Sequence, residues 1–172
     1  MNNRIKWTDR HFDFNFPVGL YPETIERLRG TPARLEDRIR SLPPEIVTRR
    51  DDERWSMQEN AGHLLDLEPL VMRRLEEYIA HARELHAADM TNRKTYEANH
   101  NDVSVDSILN GFRSARMRLV EHLDGLAPEM FARVAIHPRL NAPMRLVEMI
   151  FFQAEHDDYH LERISELVRL FI

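Results

Sequence analysis

The 172-residue sequence contains no cysteine, which excludes disulfides, thiolate metal sites and cysteine nucleophiles. A reducing cytoplasm is the expected location of such a chain. Glycine is scarce, with five residues against a usual share of roughly 7%. Because leucine, arginine and glutamate are abundant, this composition favours helices. The apolar runs are only a few residues long, so the sequence predicts no membrane-spanning segment.

Charge is spread along the chain and no sign dominates a segment. The net charge is −5, and no block of five or six like charges occurs, so neither nucleic acid nor a membrane surface is an expected partner. The first ten residues lack the apolar core of a signal peptide. The length fits one domain.

Hydrophobic periodicity predicts four helices, at about residues 22–41, 56–86, 104–126 and 143–172. Pro32 should kink the first helix or begin a second, shorter one. Residues 1–21 alternate aromatic and polar side chains, which predicts an extended N-terminal arm ahead of a domain at 22–172. The fold class expected from this pattern is all-α, a four-helix bundle.

The second helix carries a clear start signal. Ser56 and Glu59 have the spacing of a capping box, in which the two side chains satisfy free amides at a helix N-terminus. Glu59 also lies one turn before His63, so a general base is the alternative role for its carboxylate.

Two histidines of the last predicted helix lie on its inner face. His156 and His160 fall on the same apolar stripe as Met149, Ile164 and Leu167. Buried imidazoles need partners, and either a metal ion or hydrogen bonds to core groups would satisfy them. The spacing does not decide between these alternatives, and a lone histidine such as His63 is usually a surface or core residue. The remaining histidines are interpreted as surface or loop residues; they are His11, His81, His86, His100, His122 and His137.

Two segments resemble the sequence signatures of the DinB-like superfamily. One is Trp55-Ser56 followed by Gly62-His63-Leu64, and the other runs from Ala154 to Ile164 and includes both histidines. Leu42-Pro43-Pro44-Glu45 fits the turn after the first helix of that family. The resemblance covers roughly residues 22–170, nearly the whole chain.

The resemblance implies an up-down-down-up bundle in which His63, His156 and His160 hold one divalent metal ion. Imidazole suits zinc, nickel, copper and iron; zinc or nickel is expected here, with iron as the next choice. It further implies a metal-dependent hydrolase, or a transferase of low-molecular-weight thiols as in some relatives, acting on a small molecule. A homodimer is also implied. The alternative is a non-catalytic metal-binding or interaction module.

Several side chains near the predicted ligands are candidates for catalytic or supporting roles. Glu59, Glu155 and Tyr159 are the catalytic candidates. Glu155, Asp157 and Asp66 could orient the histidines as hydrogen-bond acceptors, although Asp157 and Asp158 would serve equally well on a solvated helix face.

Overall fold

The computed structural model describes residues 5–172, which are mostly helical. The α-helices in this range are α1 (Tyr21–Ile39), α2 (Pro44–Val47), α3 (Met57–Ile79), α4 (Arg93–Glu97), α5 (Val105–Asp124) and α6 (Leu146–Phe171). Strands β1 (Val134–His137) and β2 (Ala142–Arg145) form an antiparallel hairpin just before α6.

The four long helices pack as a bundle in which α1 and α3 each contact both α5 and α6. Their apolar faces form two buried clusters, one around Leu28 and Leu75 and the other around Leu35 and Leu64. The two clusters are separated by a buried carboxylate on each of two helices, Glu68 on α3 and Asp157 on α6. This bundle confirms the predicted helical architecture, while the up-down-down-up order of helix directions stays a prediction.

The helix boundaries differ from the sequence prediction at two places. Helix α3 ends at Ile79 rather than near residue 86, and the chain then turns at His81 in the left-handed region with φ 58°. The segment after this turn is used for pairing, since the Leu85 amide donates to the Ile136 carbonyl and the Ile136 amide donates to the Arg83 carbonyl.

Helix α6 begins at Leu146, so the prediction of a start near Pro143 was wrong. Pro143 lies in β2 opposite Ile136, and β2 has β1 as its one strand neighbour in the described part of the chain. A proline is tolerated on such an edge strand because its missing N–H is not needed there. Helix α1 runs through Pro32 without a second helix starting at Thr31.

Residues 5–20 contain two 3-10 turns, Trp7–Asp9 and Val18–Leu20. The aromatic side chains of this segment pack against the first apolar cluster; they are Trp7, Phe12, Phe14 and Phe16. Arg145 fixes the segment, since its Nη2 donates to the carbonyls of Phe14 and Phe16 at 2.9 Å each. The predicted arm extends at residues 1–4 outside the described range, and its division from a domain at 22–172 stays a prediction.

Within residues 5–172, no helix is both long enough and apolar enough to cross a membrane.

Candidate metal centre

Helices α3 and α6 bring His63, His156 and His160 together. All three are buried, with exposed fractions of 4%, 8% and 5%. One donor atom of each lies within 4.8 Å of those of the other two. Because His156 and His160 are four residues apart on one helix face, their Nε2 atoms come within 3.3 Å of each other.

A hydrogen-bond chain fixes the tautomer of His63. Thr95 donates its hydroxyl hydrogen to Asp66 Oδ2 at 3.0 Å, and its oxygen lies 3.0 Å from His63 Nδ1. Because a hydroxyl has one hydrogen and this one is already donated, His63 Nδ1 must carry a proton and donate to Thr95. The lone pair of His63 therefore lies on Nε2.

Asp66 also accepts a hydrogen bond from His100 Nε2, at 2.8 Å. Burial opposes the charge of Asp66, but the hydrogen bonds from His100 and Thr95 outweigh it and lower the pKa of this carboxyl. Because Asp66 is charged, it strengthens the hydrogen-bond chain through Thr95 that orients His63. Such carboxylates commonly orient the histidines of metal sites.

Gly62, the residue before His63, makes room for this support. A Cβ added there would lie 2.2 Å from the ring of His100, so any side chain would displace that imidazole. Gln58 pins the same loop, since its amide nitrogen donates to the His100 and Val103 carbonyls at 2.5 and 2.7 Å. Close packing against His100 therefore explains why a glycine precedes His63 in this chain.

Asn60 fixes the tautomer of His160 in a similar way. Its Nδ2 donates to the carbonyls of Trp55 and Ser56 at 3.2 and 2.7 Å, which leaves Oδ1 as an acceptor 2.8 Å from His160 Nδ1. His160 Nδ1 is therefore the donor, and its Nε2 lone pair is available for a ligand.

The geometry of this cluster fits a divalent ion. Two ligands on a tetrahedral ion with metal–nitrogen distances of about 2.0–2.1 Å are about 3.3 Å apart, and the Nε2 atoms of His156 and His160 are separated by 3.3 Å. Burial lowers the pKa of His63 and of His156 to about 3, and the positive charges of Arg116 and Arg139 add to the effect at His156. Both imidazoles are thus neutral at physiological pH, the form that binds metals.

His156 Nδ1 is buried without a hydrogen-bond partner among the described residues. The ring is enclosed by aromatic side chains instead, with Trp7 edge-on at 5.0 Å between ring centroids. Trp55 contacts the other two histidines, at 4.8 Å from His63 and 6.2 Å from His160. The two tryptophans of the sequence therefore flank the cluster on its two sides.

A cavity of about 480 Å³ opens beside the histidines, a size within the usual range for small-molecule sites. All three histidines line it, together with Trp7, Trp55 and further residues of α3, α6 and the hairpin. The site thus combines candidate metal ligands with space for a small molecule.

The candidate residues Glu59 and Glu155 are engaged elsewhere. Glu59 completes the predicted capping box, since its carboxylate accepts from the Ser56 amide while Ser56 Oγ accepts from the Glu59 amide. Glu59 also pairs with Arg50. Glu155 pairs with Arg27 at 2.8 Å. The capping box is thereby confirmed.

The remaining candidates divide between the cavity and the bundle interior. Tyr159 lines the cavity, with its ring 5.4 Å from that of His160. Asp157 binds Arg116 and Thr31 rather than a histidine, and Asp158 pairs with Arg27 and Arg34. Of the predicted supporting carboxylates, Asp66 is the one linked to a metal-site histidine through Thr95.

Sequence reasoning missed several residues of this region. His100 and His137 were interpreted as loop residues, but they are buried, with exposed fractions of 6% and 2%. Thr95 was not singled out, although it contacts His63 directly. No short-range pattern marks Thr95 or His100, because their partners His63 and Asp66 lie about thirty positions away along the chain.

The model of the DinB superfamily matches residues 27–164. Among solved structures, YfiT from Bacillus subtilis, described as a probable metal-dependent hydrolase with an unusual four-helix bundle topology, superposes with a TM-score of 0.81 at 17% identity, covering 94% of this chain and 93% of that one. The mycothiol-dependent maleylpyruvate isomerase superposes with a TM-score of 0.69 at 9% identity, covering 88% of this chain and 62% of that one. No curated protein sequence matches at a significant level. At these identities the superpositions show a shared fold.

Proposed function

This chain belongs to the DinB superfamily, and we propose that it is a divalent-metal-binding enzyme that hydrolyses a small molecule or transfers a small thiol. The observation that carries the proposal is the group of three buried histidines beside a cavity of about 480 Å³. A site that only stores a metal ion has no need of space for a small molecule next to it.

His63, His156 and His160 would hold the ion through neutral imidazole nitrogens. Three protein ligands leave a position for water or substrate, as in catalytic rather than structural zinc sites. A divalent ion bound there supplies Lewis acidity, which lowers the pKa of a water molecule or a thiol toward neutrality. Zinc or nickel is the expected ion, with iron as the next choice, since imidazole binds all three.

The chain itself orients the ligands and shields the site. Thr95 and Asn60 hold the Nδ1–H groups of His63 and His160, which keeps both Nε2 lone pairs directed at a ligand. Trp7 and Trp55 exclude water from the two sides of the cluster. Tyr159 lines the cavity beside His160, and we assign it the role of contacting the substrate; Glu59 and Glu155 are held in ion pairs with Arg50 and Arg27.

Metal content is the first test. Protein purified without an affinity tag should contain about one divalent ion per chain by elemental analysis. The variant His156→Ala should contain almost none while its far-ultraviolet circular dichroism stays helical, because the apolar clusters carry the fold. His122→Ala is the matched control, since His122 is exposed on α5 and binds the Arg118 carbonyl at 2.8 Å. Equal metal content in both variants would contradict the proposal.

Access of substrate to the ion is the second test. Addition of 2-mercaptoethanol to the cobalt-loaded protein should produce a thiolate-to-cobalt absorption band, because a thiol can then enter the open position. An unchanged spectrum would show a closed coordination shell and favour a non-catalytic metal-binding or interaction module.

We further propose that the helices of each chain follow the up-down-down-up order, and that two chains form a homodimer. Large apolar side chains that remain exposed in the single chain support an interface, among them Tyr96, Val134 and Leu170. Light scattering should give twice the chain mass of 20.4 kDa, and a monomer at micromolar concentration would contradict the dimer. The cytoplasmic location stays a prediction.

A further inference from the structure

The cavity beside the histidines contains buried hydrogen-bond donors that the described part of the chain does not satisfy. They are Nε2 of His137 and both terminal nitrogens of Arg139. Both residues line the same cavity as the three candidate metal ligands. Buried polar groups are nearly always hydrogen-bonded, so a cluster of unpaired donors facing a cavity points to a ligand with acceptor atoms.

The tautomer of His137 follows from its neighbour in the β1–β2 turn. The Leu140 amide donates to His137 Nδ1 at 3.3 Å, so Nδ1 carries the lone pair and Nε2 carries the hydrogen. His137 is 2% exposed. Its Nε2–H is therefore a fixed, dry donor without an acceptor among residues 5–172.

Arg139 packs against two adjoining aromatic rings rather than beside a carboxylate. Its guanidinium carbon lies 5.6 Å from the ring centroid of Trp7 and 5.2 Å from that of Phe152. Stacking on two rings holds the planar group in place and leaves its terminal N–H groups free to bind in the ring plane. Trp7 also contacts His156, so a single side chain links Arg139 to the candidate metal centre.

A second cation strengthens the local positive potential. Arg74, 7% exposed, lines the cavity and donates its Nε to the His86 carbonyl at 3.0 Å. Burial lowers the pKa of both Arg74 and Arg139. It therefore disfavours their charged forms, and a bound anion would favour those forms again.

The other charges of the cavity wall are mostly compensated. Arg54 and Arg163 both pair with Asp51, and the carboxylate of Asp89 accepts from the Thr91 and Arg93 amides. Lys6 and Glu53 complete the set of charged residues in the wall. Within residues 5–172, the buried cationic donors of the wall that lack a partner are the terminal nitrogens of Arg139.

We propose that Arg139 and His137, supported by Arg74, form a subsite for an oxyanion of the substrate, a carboxylate or a phosphate group. The planar guanidinium presents two parallel N–H groups to two oxygens, and the imidazole N–H adds a third donor. The subsite rests on the proposed function, because it holds the anionic end of the molecule whose reacting group lies at the histidines. The substrate class is thus a small acid with an apolar body that fits against Trp7 and Phe152.

Calorimetric titration of the metal-free full-length protein tests this subsite apart from the metal. Benzoate and phenyl phosphate are the probes for the two oxyanions, and benzamide is the neutral isostere. At least one of the two anions should bind, and benzamide should bind at least about tenfold more weakly, since charge-assisted hydrogen bonds are the strong ones. Arg139→Ala should weaken anion binding at least about tenfold, and Arg139→Lys should give an intermediate affinity because the charge remains while the planar fork is lost.

Arg54→Ala is the matched control, since Arg54 lines the same cavity but already pairs with Asp51 at 2.6 Å. It should bind the anions as the unmodified protein does. Equal affinities in Arg139→Ala and Arg54→Ala, equal affinities for benzoate and benzamide, or no anion binding at millimolar concentration would each overturn the subsite. Cobalt titration of the unmodified protein separates the two ideas, because failure to bind cobalt sinks the proposed function while anion binding to the metal-free protein still decides the subsite.

Discussion

Two arginines with buried terminal nitrogens show how differently this protein treats polar groups. Arg116, in the middle of the bundle, donates to Glu68, to Asp157 and to the Leu28 carbonyl, so each of its three nitrogens has a partner. Arg139, in the wall of the cavity beside the histidines, has two terminal nitrogens without partners in the range that the structure covers. Helices α3 and α6 contribute to both regions: they carry Glu68 and Asp157 of the central network and the three histidines of the cavity.

The difference separates polar groups that the fold uses from polar groups that are available to a ligand. Glu68 lies five positions after His63 on α3, and Asp157 directly follows His156 on α6. Asp157 also accepts from Thr31 and Gln153 at 3.0 Å each, so the central network is closed. The hairpin, by contrast, leaves the His137 Nε2 and the terminal nitrogens of Arg139 unpaired within residues 5–172, and these are the groups to which we assign anion binding.

The largest expected effect is a loss of stability when the central network of Arg116, Glu68 and Asp157 is disrupted. Arg116→Met should lower the free energy of unfolding by about 3–5 kcal/mol, because it leaves Glu68 and Asp157 buried without their cation. Chemical denaturation monitored by circular dichroism measures this loss.

Arg113→Met on the same helix provides the control, because Arg113 also pairs with a glutamate, Glu36, at 2.6 Å but at the surface. An exposed pair is worth about 0–1 kcal/mol. If both variants lose similar stability, the central network is not the structural element that its burial indicates.

A second prediction concerns the space that Gly62 leaves for His100. Gly62→Ala should destabilise the protein by about 1–3 kcal/mol, as overpacking does, since the new Cβ would meet the His100 ring at 2.2 Å. It should also weaken metal binding, because His100 supports the chain through Asp66 and Thr95 to His63.

Gly30→Ala gives the opposite sign. Gly30 lies inside α1, and an added Cβ there meets nothing within 4 Å, so alanine should stabilise the helix by about 1 kcal/mol. Denaturation curves of the two variants measured side by side decide the matter, and a stabilised Gly62→Ala protein would rule out the packing explanation.

The third prediction tests whether the loop behind His63 belongs to the metal centre. Thr95→Val keeps the shape of the side chain but removes the hydroxyl that holds His63 Nδ1. Loss of such an orienting group typically costs about 10- to 100-fold in metal affinity, which competition with a chromophoric chelator would measure. Thr91→Val, in the same loop but bonded to Asp89 at 2.6 Å, should bind metal normally. Equal affinities would mean that His63 is oriented by packing alone.

The sequence predicted the helices and part of the site because both depend on short-range periodicity. His156 and His160 share an apolar helical stripe, and the capping box at Ser56 marks the start of α3. His63 could be added only through the family resemblance, because no local spacing connects residues of two different helices. Its placement beside the other two agrees with that expectation, and metal binding itself stays a prediction.

The parts that the sequence did not reveal depend on contacts between distant segments. Thr95, on α4, and His100, just after it, have their roles set by Asp66, about thirty residues earlier. Of the hairpin, residues 143–145 were predicted as the start of the last helix, and residues 134–142 were not predicted as strand. The unpaired donors of His137 and Arg139 follow from that hairpin. A pattern within one element carries no information about them.

The smallest expected effect is a pH dependence that arises from His137. Burial, with Arg74 and Arg139 nearby, lowers the pKa of His137 to about 4, against about 6.5 in the unfolded chain. Between these values the unfolded state binds a proton that the folded state does not, so the free energy of unfolding falls as the pH is lowered. At pH 5.5 the loss from this residue is about 1.4 kcal/mol relative to pH 7.5.

His137→Gln removes the titrating group and retains an N–H donor. Urea denaturation of the metal-free proteins at pH 7.5 and 5.5 should therefore show a loss of stability that is smaller in the variant by about 1.4 kcal/mol. The other titrating groups are common to both proteins and cancel in the difference. An equal loss in both would mean that the His137 ring accepts a proton in the folded state, and hence that the hairpin end of the cavity is wetter than its burial indicates. A smaller loss in the variant would support a dry donor, the condition under which an incoming oxyanion gains most from binding it.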